Sequence, residues 1–253
     1  MSTELDAGPH WPEGYDLVVL DEVDSTMAEA ARRAASIRVP TWIMALRQTA
    51  GRGRRGRAWD NPVGNLAATL ISKPDLTPMD AALRSFLAAN ALFEALALYV
   101  DRTRLATKWP NDVLLDGGKV AGILLESSGA GSRISWLSIG IGVNLAHTPR
   151  AAEGATFAPV SLFEAIEKTI EPEEFLAALA NAYATQEQKL LYFGFERIRR
   201  DWLSQAARLG EQITARTTND EFTGTFDGID DDGNLILVTA KGPKVIAAAD
   251  VYF

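Results

Sequence analysis

The sequence of 253 residues contains no cysteine, which excludes disulfide bonds and thiolate metal sites. It has only two histidines, His10 and His147, which have no partners at metal-ligand spacing and are assigned no metal or catalytic role. The sequence also lacks an apolar run long enough to span a membrane and a signal-like N-terminus. These absences predict a cytoplasmic protein that does not associate with membranes.

Positive charge is scarce as well. Lys and Arg total 25 against 33 Asp and Glu, which gives a formal net charge of −8. This balance argues against general binding to nucleic acid or to anionic membranes. The length suits one large domain with room for a small appendage.

One basic run stands out from this acidic background. Residues 51–57 contain four arginines and three glycines. The arginines repel one another and lose hydration on packing, so we expect a polyphosphate or carboxylate to neutralise them, while the glycines allow the backbone to approach that anion. Taken alone, the run is also typical of an RNA-binding patch or a solvated charged turn.

Hydrophobic periodicity predicts an α/β layer with a substantial antiparallel component. Thr26 and Glu29 predict a capping box at the start of the first helix. Residues 147–159 lack periodicity and predict a flexible loop. Strands are predicted at 16–20, 41–46, 65–71, 104–109, 119–126 and 134–145, and helices at 26–36, 77–100, 161–168 and 173–205 with a break near Gly194.

The character of the chain changes after Gly210. Short strands at 213–216, 221–226, 235–238 and 244–248, separated by turns, predict a small β-barrel. We therefore predict an N-terminal extension over 1–14, a catalytic domain over 15–208 and a C-terminal β-barrel domain over 209–253.

Polar residues recur where predicted strands begin and end. Lys108, Asn111 and Asp112 flank Trp109 and Pro110 at the end of one strand. A second lysine, Lys119, opens the next strand, which also contains Gly122, and a third strand carries Gly140 and ends at Asn144. Small residues inside a strand allow a flat ligand to pack against the backbone, although a glycine there also marks a bulge.

These motifs, in this order, resemble the bacterial biotin protein ligases over residues 15–253. The motifs are Asp-Ser-Thr, Gly-Arg-Gly-Arg-Arg-Gly-Arg-x-Trp, Lys-Trp-Pro-Asn-Asp, Gly-Lys-x-Ala-Gly-Ile-Leu-x-Glu and Gly-x-Gly-x-Asn. The resemblance implies an α+β catalytic domain like those of class II aminoacyl-tRNA synthetases and biotin synthetases, with a mixed, largely antiparallel sheet and a Src-homology-3-like barrel.

The resemblance also implies a reaction. Biotin attacks the α-phosphate of ATP to give biotinyl-5′-AMP and pyrophosphate, with Mg²⁺ as cofactor. A lysine of the biotin carboxyl carrier protein of acetyl-CoA carboxylase or a related carboxylase then attacks the adenylate. Since the adenylate hydrolyses easily, a loop is expected to close over it and exclude water.

For biotin, motif matching implies that Ser25, Thr26 and Gln48 bond the ureido group. Thr26 has helix capping as an alternative role. Met27 departs from the asparagine frequent at its position, so only its backbone N–H is expected to donate. The remaining implied biotin contacts are Gly51, Arg52, Gly53, Arg54, Lys119, Gly122 and Gly140.

For catalysis, the resemblance implies that Lys119 bridges the biotin carboxylate and α-phosphate and that Lys108 meets transition-state charge. Exposed surface lysines are the alternative for both. Asp112 is implied to hold Mg²⁺ or orient the acceptor lysine, with turn capping as the alternative. Arg55 is expected to face solvent and Trp109 to lie in the core. The implied ATP contacts are Arg54, Arg57, Trp59, Lys108, Asn111 and Asn144.

Three other functions are weighed. A lipoate ligase shares the expected fold and chemistry, but Ser25, Thr26 and Gln48 favour a ligand with a polar head. A repressor needs a helix-turn-helix domain, and only about 15 residues precede the first predicted strand. An RNA-binding module needs a broad basic face, which the acidic composition does not favour. The sequence leaves open whether the chain forms a homodimer through its central sheet.

Overall fold

A mixed sheet of seven strands forms the centre of the catalytic region. The computed structural model describes residues 10–150 and 157–253, so most of the predicted N-terminal extension and the middle of the predicted 147–159 loop lie outside the described residues. The strand order is β1-β2-β3-β7-β6-β5-β4, and only β1 and β2 are parallel. The strands are β1 Asp16–Val23, β2 Thr41–Gln48, β3 Leu66–Ser72, β4 Leu105–Lys108, β5 Asp112–Leu115, β6 Gly118–Ala130 and β7 Arg133–Val143.

Helices cover both faces of this sheet. They are α1 Thr26–Arg33, α2 Pro78–Ala82, α3 Arg84–Leu96, α4 Leu162–Ile166 and α5 Pro172–Leu203. Side chains alternate between the faces of a strand. Trp42 of β2 and Leu70 of β3 therefore pack into the main core with α3 and α5, while the adjacent Ile43 and Ile71 pack with α1. Within the described ranges, no helix is long and apolar enough to cross a bilayer.

The C-terminal sheet has five antiparallel strands in the order β11-β10-β9-β8-β12. Its inner residues, including Phe226, join the main core, and Trp109 Nε1 donates a hydrogen bond of 3.0 Å to the carbonyl of Gly233. The predicted α+β fold class is thereby confirmed. The strands are β8 Gln212–Arg216, β9 Glu221–Ile229, β10 Leu235–Thr239, β11 Gly242–Ile246 and β12 Asp250–Tyr252.

The structure corrects several local predictions. The capping box at Thr26 is wrong: Ser25 precedes the helix as its N-cap, and the Thr26 hydroxyl donates instead to Gln48. Glu29 pairs with two arginines of the same helix rather than reaching back. The predicted 77–100 helix is two helices, α2 and α3, which meet at Leu83. The short strands β5 and β12 were missed.

Glycines in β6 and β7 create a seat for a large aromatic side chain. A Cβ atom added at Gly142 would overlap the indole of Trp59, and one added at Gly122 would lie 3.1 Å from the same ring. Trp59 follows the basic run of residues 51–57, which is called the arginine loop below. Because Gly122 and Gly142 have no side chains, the Trp59 ring fits against β6 and β7 and fixes the end of this loop on the sheet.

We expect Gly142→Ala to lower the free energy of unfolding by about 1–3 kcal/mol, because the added methyl displaces the Trp59 indole. Urea unfolding measures the loss. The same substitution in a Trp59→Leu background removes most of the overlap and should cost much less. Equal losses in the two backgrounds would show that Trp59 does not occupy this seat.

Candidate active site

A cavity of about 410 Å³ opens between the arginine loop, the ends of β4 to β7 and the C-terminal sheet. Its volume is that of a typical small-molecule site. Gly51 does not line it, and a Cβ atom added at Gly51 would overlap the Trp59 carbonyl. All other predicted site residues do: Ser25, Thr26, Met27, Gln48, Arg52, Gly53, Arg54, Arg57, Trp59, Lys108, Asn111, Asp112, Lys119, Gly122, Gly140 and Asn144.

Arg54 is the arginine of the loop that turns inward. A single 3₁₀ turn begins at Arg54, and the Gly53 N–H donates to the Arg57 carbonyl at 2.7 Å, which closes the loop on itself. Arg54 Nη1 donates to Asn111 Oδ1 at 3.0 Å. Burial lowers the pKa of the Arg54 guanidinium, and the charges of Asp250 and Asp112 partly oppose this. Among the residues that the structure describes, no carboxylate forms an ion pair with this desolvated guanidinium, which favours an anionic ligand.

Two other arginines of the loop reach the C-terminal sheet, while Arg52 pairs with Glu126 of β6. Arg55 Nη1 lies 2.6 Å from Asp250 Oδ2, and Arg57 Nη2 lies 3.0 Å from the same oxygen. Arg55 is exposed, as predicted, and its guanidinium also pairs at the surface with a carboxylate of β12. Asp250 also lines the cavity. Sequence reasoning missed this residue because it is a lone carboxylate in an unpredicted strand of three residues.

Two lysines share one carboxylate at the turn between β4 and β5. The strand register places Lys108 opposite Asp112 and Asp112 opposite Gly122. Lys119 Nζ lies 2.7 Å from Asp112 Oδ1, and Lys108 Nζ lies 3.8 Å from Oδ2. With Arg54, three cations surround one carboxylate, so positive charge at this wall exceeds negative charge.

The alternative prediction for Lys108, an exposed surface lysine, is wrong, since only 5% of the residue is exposed. Burial lowers the pKa of its ammonium, and nearby Lys119 adds to the effect, while Asp112 opposes it. The ring centre of Phe157 lies 4.9 Å from its Nζ. Because this cation is desolvated and its carboxylate partner is distant, it can interact strongly with an anion that binds in the cavity.

A chain of hydrogen bonds lies at the other end of the cavity. The Thr26 N–H and hydroxyl donate to Gln48 Oε1 at 2.9 and 3.2 Å, and the Thr69 hydroxyl donates to Thr26 Oγ1 at 2.8 Å. Ser25 is buried beside them. These fixed dipoles favour a small ligand with a polar head.

Met27 and Gly140 pack against each other at this end. A Cβ added at Gly140 would lie 2.7 Å from Met27 Sδ. The thioether therefore covers the bare face of Gly140, and strand register at Gly140 is regular, with Leu124 opposite it. Gly140 thus marks close packing and not a bulge.

Asn144 joins three segments beside the lysines. Its Nδ2 donates to the Lys119 carbonyl at 3.3 Å and to the Val160 carbonyl at 3.0 Å. Its Oδ1 is buried without a hydrogen-bond partner among the described residues, which leaves an acceptor for a ligand donor.

Some lining residues without a predicted role lie inside the quoted motifs, namely Pro110, Ile123, Leu124 and Gly142, so motif membership could have found them. Strand positions such as Ala67, Ala68 and Ile141 are typical of ordinary core. The others are Ala58, Asp60, Pro149, Arg150, Phe157, Pro159 and Asp250.

The arrangement as a whole can hold two anions together. Three cations at one wall compensate the repulsion between a carboxylate and a phosphate, and the separate polar end fixes an uncharged head group. Chemistry that joins a carboxylate to a phosphate needs both features in one closed space.

Comparisons with known proteins identify the family. The model of the Biotin/lipoate A/B protein ligase family matches residues 19–144, and that of the Biotin protein ligase C terminal domain matches residues 209–253. The biotin–[acetyl-CoA-carboxylase] ligase of Paracoccus denitrificans is 51% identical over 93% of this chain and 99% of its own. A bifunctional ligase/repressor of Bacillus subtilis is 32% identical over 94% of this chain and 74% of its own.

A solved structure shows the same fold over nearly the whole chain. The biotin protein ligase of Aquifex aeolicus in complex with biotin and ATP aligns with a TM-score of 0.78 and 26% identity, covering 93% of this chain and 98% of that one. The expected family is confirmed by both sequence and structure. This chain belongs to the biotin protein ligase family.

Proposed function

We propose that the cavity is the place where this ATP-dependent biotin protein ligase activates biotin as biotinyl-5′-AMP. Biotin then passes to one lysine of the biotin carboxyl carrier protein of a carboxylase. The observation that carries the proposal is the convergence of Arg54, Lys108 and Lys119 on one wall of the cavity, around the carboxylate of Asp112.

In the first step, the biotin carboxylate attacks the α-phosphate and pyrophosphate leaves. Arg54 and Lys119 are proposed to bring the two anions together, with Lys119 between carboxylate and phosphate. Lys108 stabilises the extra negative charge on the phosphorus in the transition state. For Lys119 to do this, its ammonium must exchange part of its 2.7 Å contact with Asp112 for the ligand.

The polar end of the cavity is proposed to hold the ureido group of biotin through Ser25, Thr26 and Gln48. Met27 contributes an apolar surface against Gly140, and its backbone N–H is a further donor. The loop residues Arg52 and Gly53 close over biotin, while Gly51 accepts a hydrogen bond from the Trp59 N–H and Gly122 seats the Trp59 ring beside the site. Lipoate lacks a ureido head, so the Thr26–Gln48 hydrogen bonds favour biotin over it.

The nucleotide is proposed to occupy the part of the cavity between the lysines and the C-terminal sheet. Arg57 reaches the phosphates from its contact with Asp250. Asn111, which already accepts a hydrogen bond from Arg54, and the unpaired Asn144 Oδ1 complete the polar wall, while Trp59 closes it. Closing the loop excludes water from the adenylate.

The residues present do not fit a metal ion bound by the protein alone. The described ranges contain no group of three His, Asp or Glu that could hold one. Both oxygens of Asp112 already face ammonium groups, so the predicted Mg²⁺ role of Asp112 is disfavoured. Instead, Asp112 is proposed to orient the incoming acceptor lysine in the second step. Its carboxylate would then accept a hydrogen bond from the acceptor amine in addition to its contacts with Lys108 and Lys119.

The proposal is tested by calorimetry followed by mass spectrometry. Titration with biotin, and then with ATP in the presence of biotin, should show binding of both ligands to one site. A carrier domain mixed with the chain, biotin and ATP should gain one biotin mass on a single lysine. A carrier that keeps its mass, or that gains lipoyl groups instead when lipoate is supplied, would overturn the proposal.

We expect Arg54→Ala and Lys119→Ala each to slow adenylate formation by about 10²–10³-fold, because each removes a cation from the developing charge. Pyrophosphate release measures the rate, and thermal unfolding shows that the fold is intact. Arg47→Ala is the matched control, since Arg47 pairs with Glu22 on the exposed edge of the sheet. Wild-type rates in either cavity variant would remove the role assigned to that residue.

We also expect Lys108→Arg to change the pH dependence of adenylate formation. Burial lowers the pKa of Lys108, so its charge is lost as pH rises through a value below that of an ordinary lysine. Arginine keeps its charge throughout. The variant should therefore be slower near neutral pH yet lose less of its own rate up to about pH 10. Identical alkaline limbs for both proteins would show that Lys108 does not need its charge.

A further inference from the structure

Phe157 belongs to none of the sequence motifs, yet it touches a cation of the cavity wall. Its ring centre lies 4.9 Å from Lys108 Nζ, well within the distance of a cation–π contact. Lys108 is almost fully buried, so water solvates its ammonium poorly. The carboxylate of Asp112 is 3.8 Å away and lies closer to Lys119, at 2.7 Å. Charged groups that act on Lys108 are Asp112, Lys119, Asp250 and Arg54.

The position of Phe157 is fixed by main-chain hydrogen bonds to the start of β6. The Lys119 N–H donates to the Ala158 carbonyl at 2.9 Å, and the Val160 N–H donates to the Lys119 carbonyl at 3.0 Å. The segment that follows Phe157 is thus joined directly to the strand that carries the second lysine. A ring on this segment has a defined distance from both lysines.

A second aromatic ring supports Phe157 from the C-terminal sheet. The rings of Phe157 and Phe253 have centres 4.7 Å apart and meet edge to face at 60°. The guanidinium of Arg208, an exposed residue, lies 5.5 Å from the Phe253 ring centre. Successive contacts therefore link Lys108, Phe157, Phe253 and Arg208, and this series of contacts is called the aromatic row below.

From this row we infer that Phe157 is a positioning residue for Lys108, and that Phe253 holds Phe157 in place. The inference rests on the proposed role of Lys108 in adenylate formation. An aliphatic side chain at position 157 would exclude water equally well but would provide no electrostatic attraction for the ammonium. The face of an aromatic ring attracts the ammonium and so holds Nζ at the wall where the phosphate arrives. The C-terminal segment thereby acts on the chemistry through packing, in addition to the charge of Asp250.

The test replaces Phe157 with leucine, which keeps apolar bulk and removes the ring face. We expect the kcat of adenylate formation to fall about fivefold while the KM for biotin stays the same, because only the transition-state cation is displaced. Phe157→Tyr restores the ring and should restore the rate. Phe253→Leu should lower kcat in the same direction by a smaller factor.

A matched control is available elsewhere in the C-terminal sheet, at Phe222, which does not line the cavity. Lys244 Nζ lies 4.8 Å from the Phe222 ring centre, which is the same kind of contact away from the cavity. Phe222→Leu should leave kcat and KM unchanged. Thermal unfolding of every variant identifies a loss of fold that would lower the rate for another reason.

A double-variant cycle separates positioning of Lys108 from a general structural role. If Phe157 acts through Lys108, then Phe157→Leu should have no further effect on kcat in a Lys108→Ala background. A fivefold fall in that background as well, or wild-type kcat in Phe157→Leu alone, would overturn the inference.

A readout without activity keeps the inference distinct from the proposed function. Acetylation of Lys108 by acetic anhydride, followed by mass spectrometry of its peptide, should be at least about twofold faster in Phe157→Leu than in wild type and normal in Phe222→Leu. Unchanged labelling would contradict the contact. Faster labelling in Phe157→Leu, together with wild-type adenylate formation in Lys108→Ala, would support the contact between Phe157 and Lys108 but contradict the proposed role of Lys108.

Discussion

Burial of like charges around a single carboxylate is the constraint on which the rest of the site depends. Lys108 and Lys119 both face Asp112, and Arg54 approaches through Asn111. Removing cations from water costs free energy that one carboxylate cannot fully offset. The bound state of the cavity is therefore stabilised when anions neutralise these cations. The same excess of positive charge allows two anionic substrates to bind next to each other.

The sheet and the C-terminal strands both serve this constraint. Gly122 and Gly142 leave room for Trp59, so the end of the arginine loop rests directly on β6 and β7. At its other side the loop is held by Asp250, whose carboxylate pairs with Arg55 and Arg57. Repulsion among the arginines is thus reduced by separate partners: Asn111 for Arg54, Glu126 for Arg52 and Asp250 for Arg55 and Arg57.

Sequence reasoning located the motif residues of the cavity but not the residues that support them. Lys108 and Lys119 were predictable because strand ends and turns have local patterns. Asp250 and Phe157 were not, because each is a single residue whose contacts come from distant segments. Thr26 shows the same limit: its local context favours capping, while the tertiary hydrogen bond to Gln48 decides its conformation. Roles at the site and the domain boundaries stay predictions.

The most direct measurement is a crystal structure of the chain with a non-hydrolysable analogue of biotinyl-5′-AMP. The account predicts that the atom linking the biotin chain to the phosphate lies between Arg54, Lys108 and Lys119, with the ureido ring at Gln48 and Thr26. An analogue bound outside this cavity, or with its phosphate away from all three cations, would contradict the account.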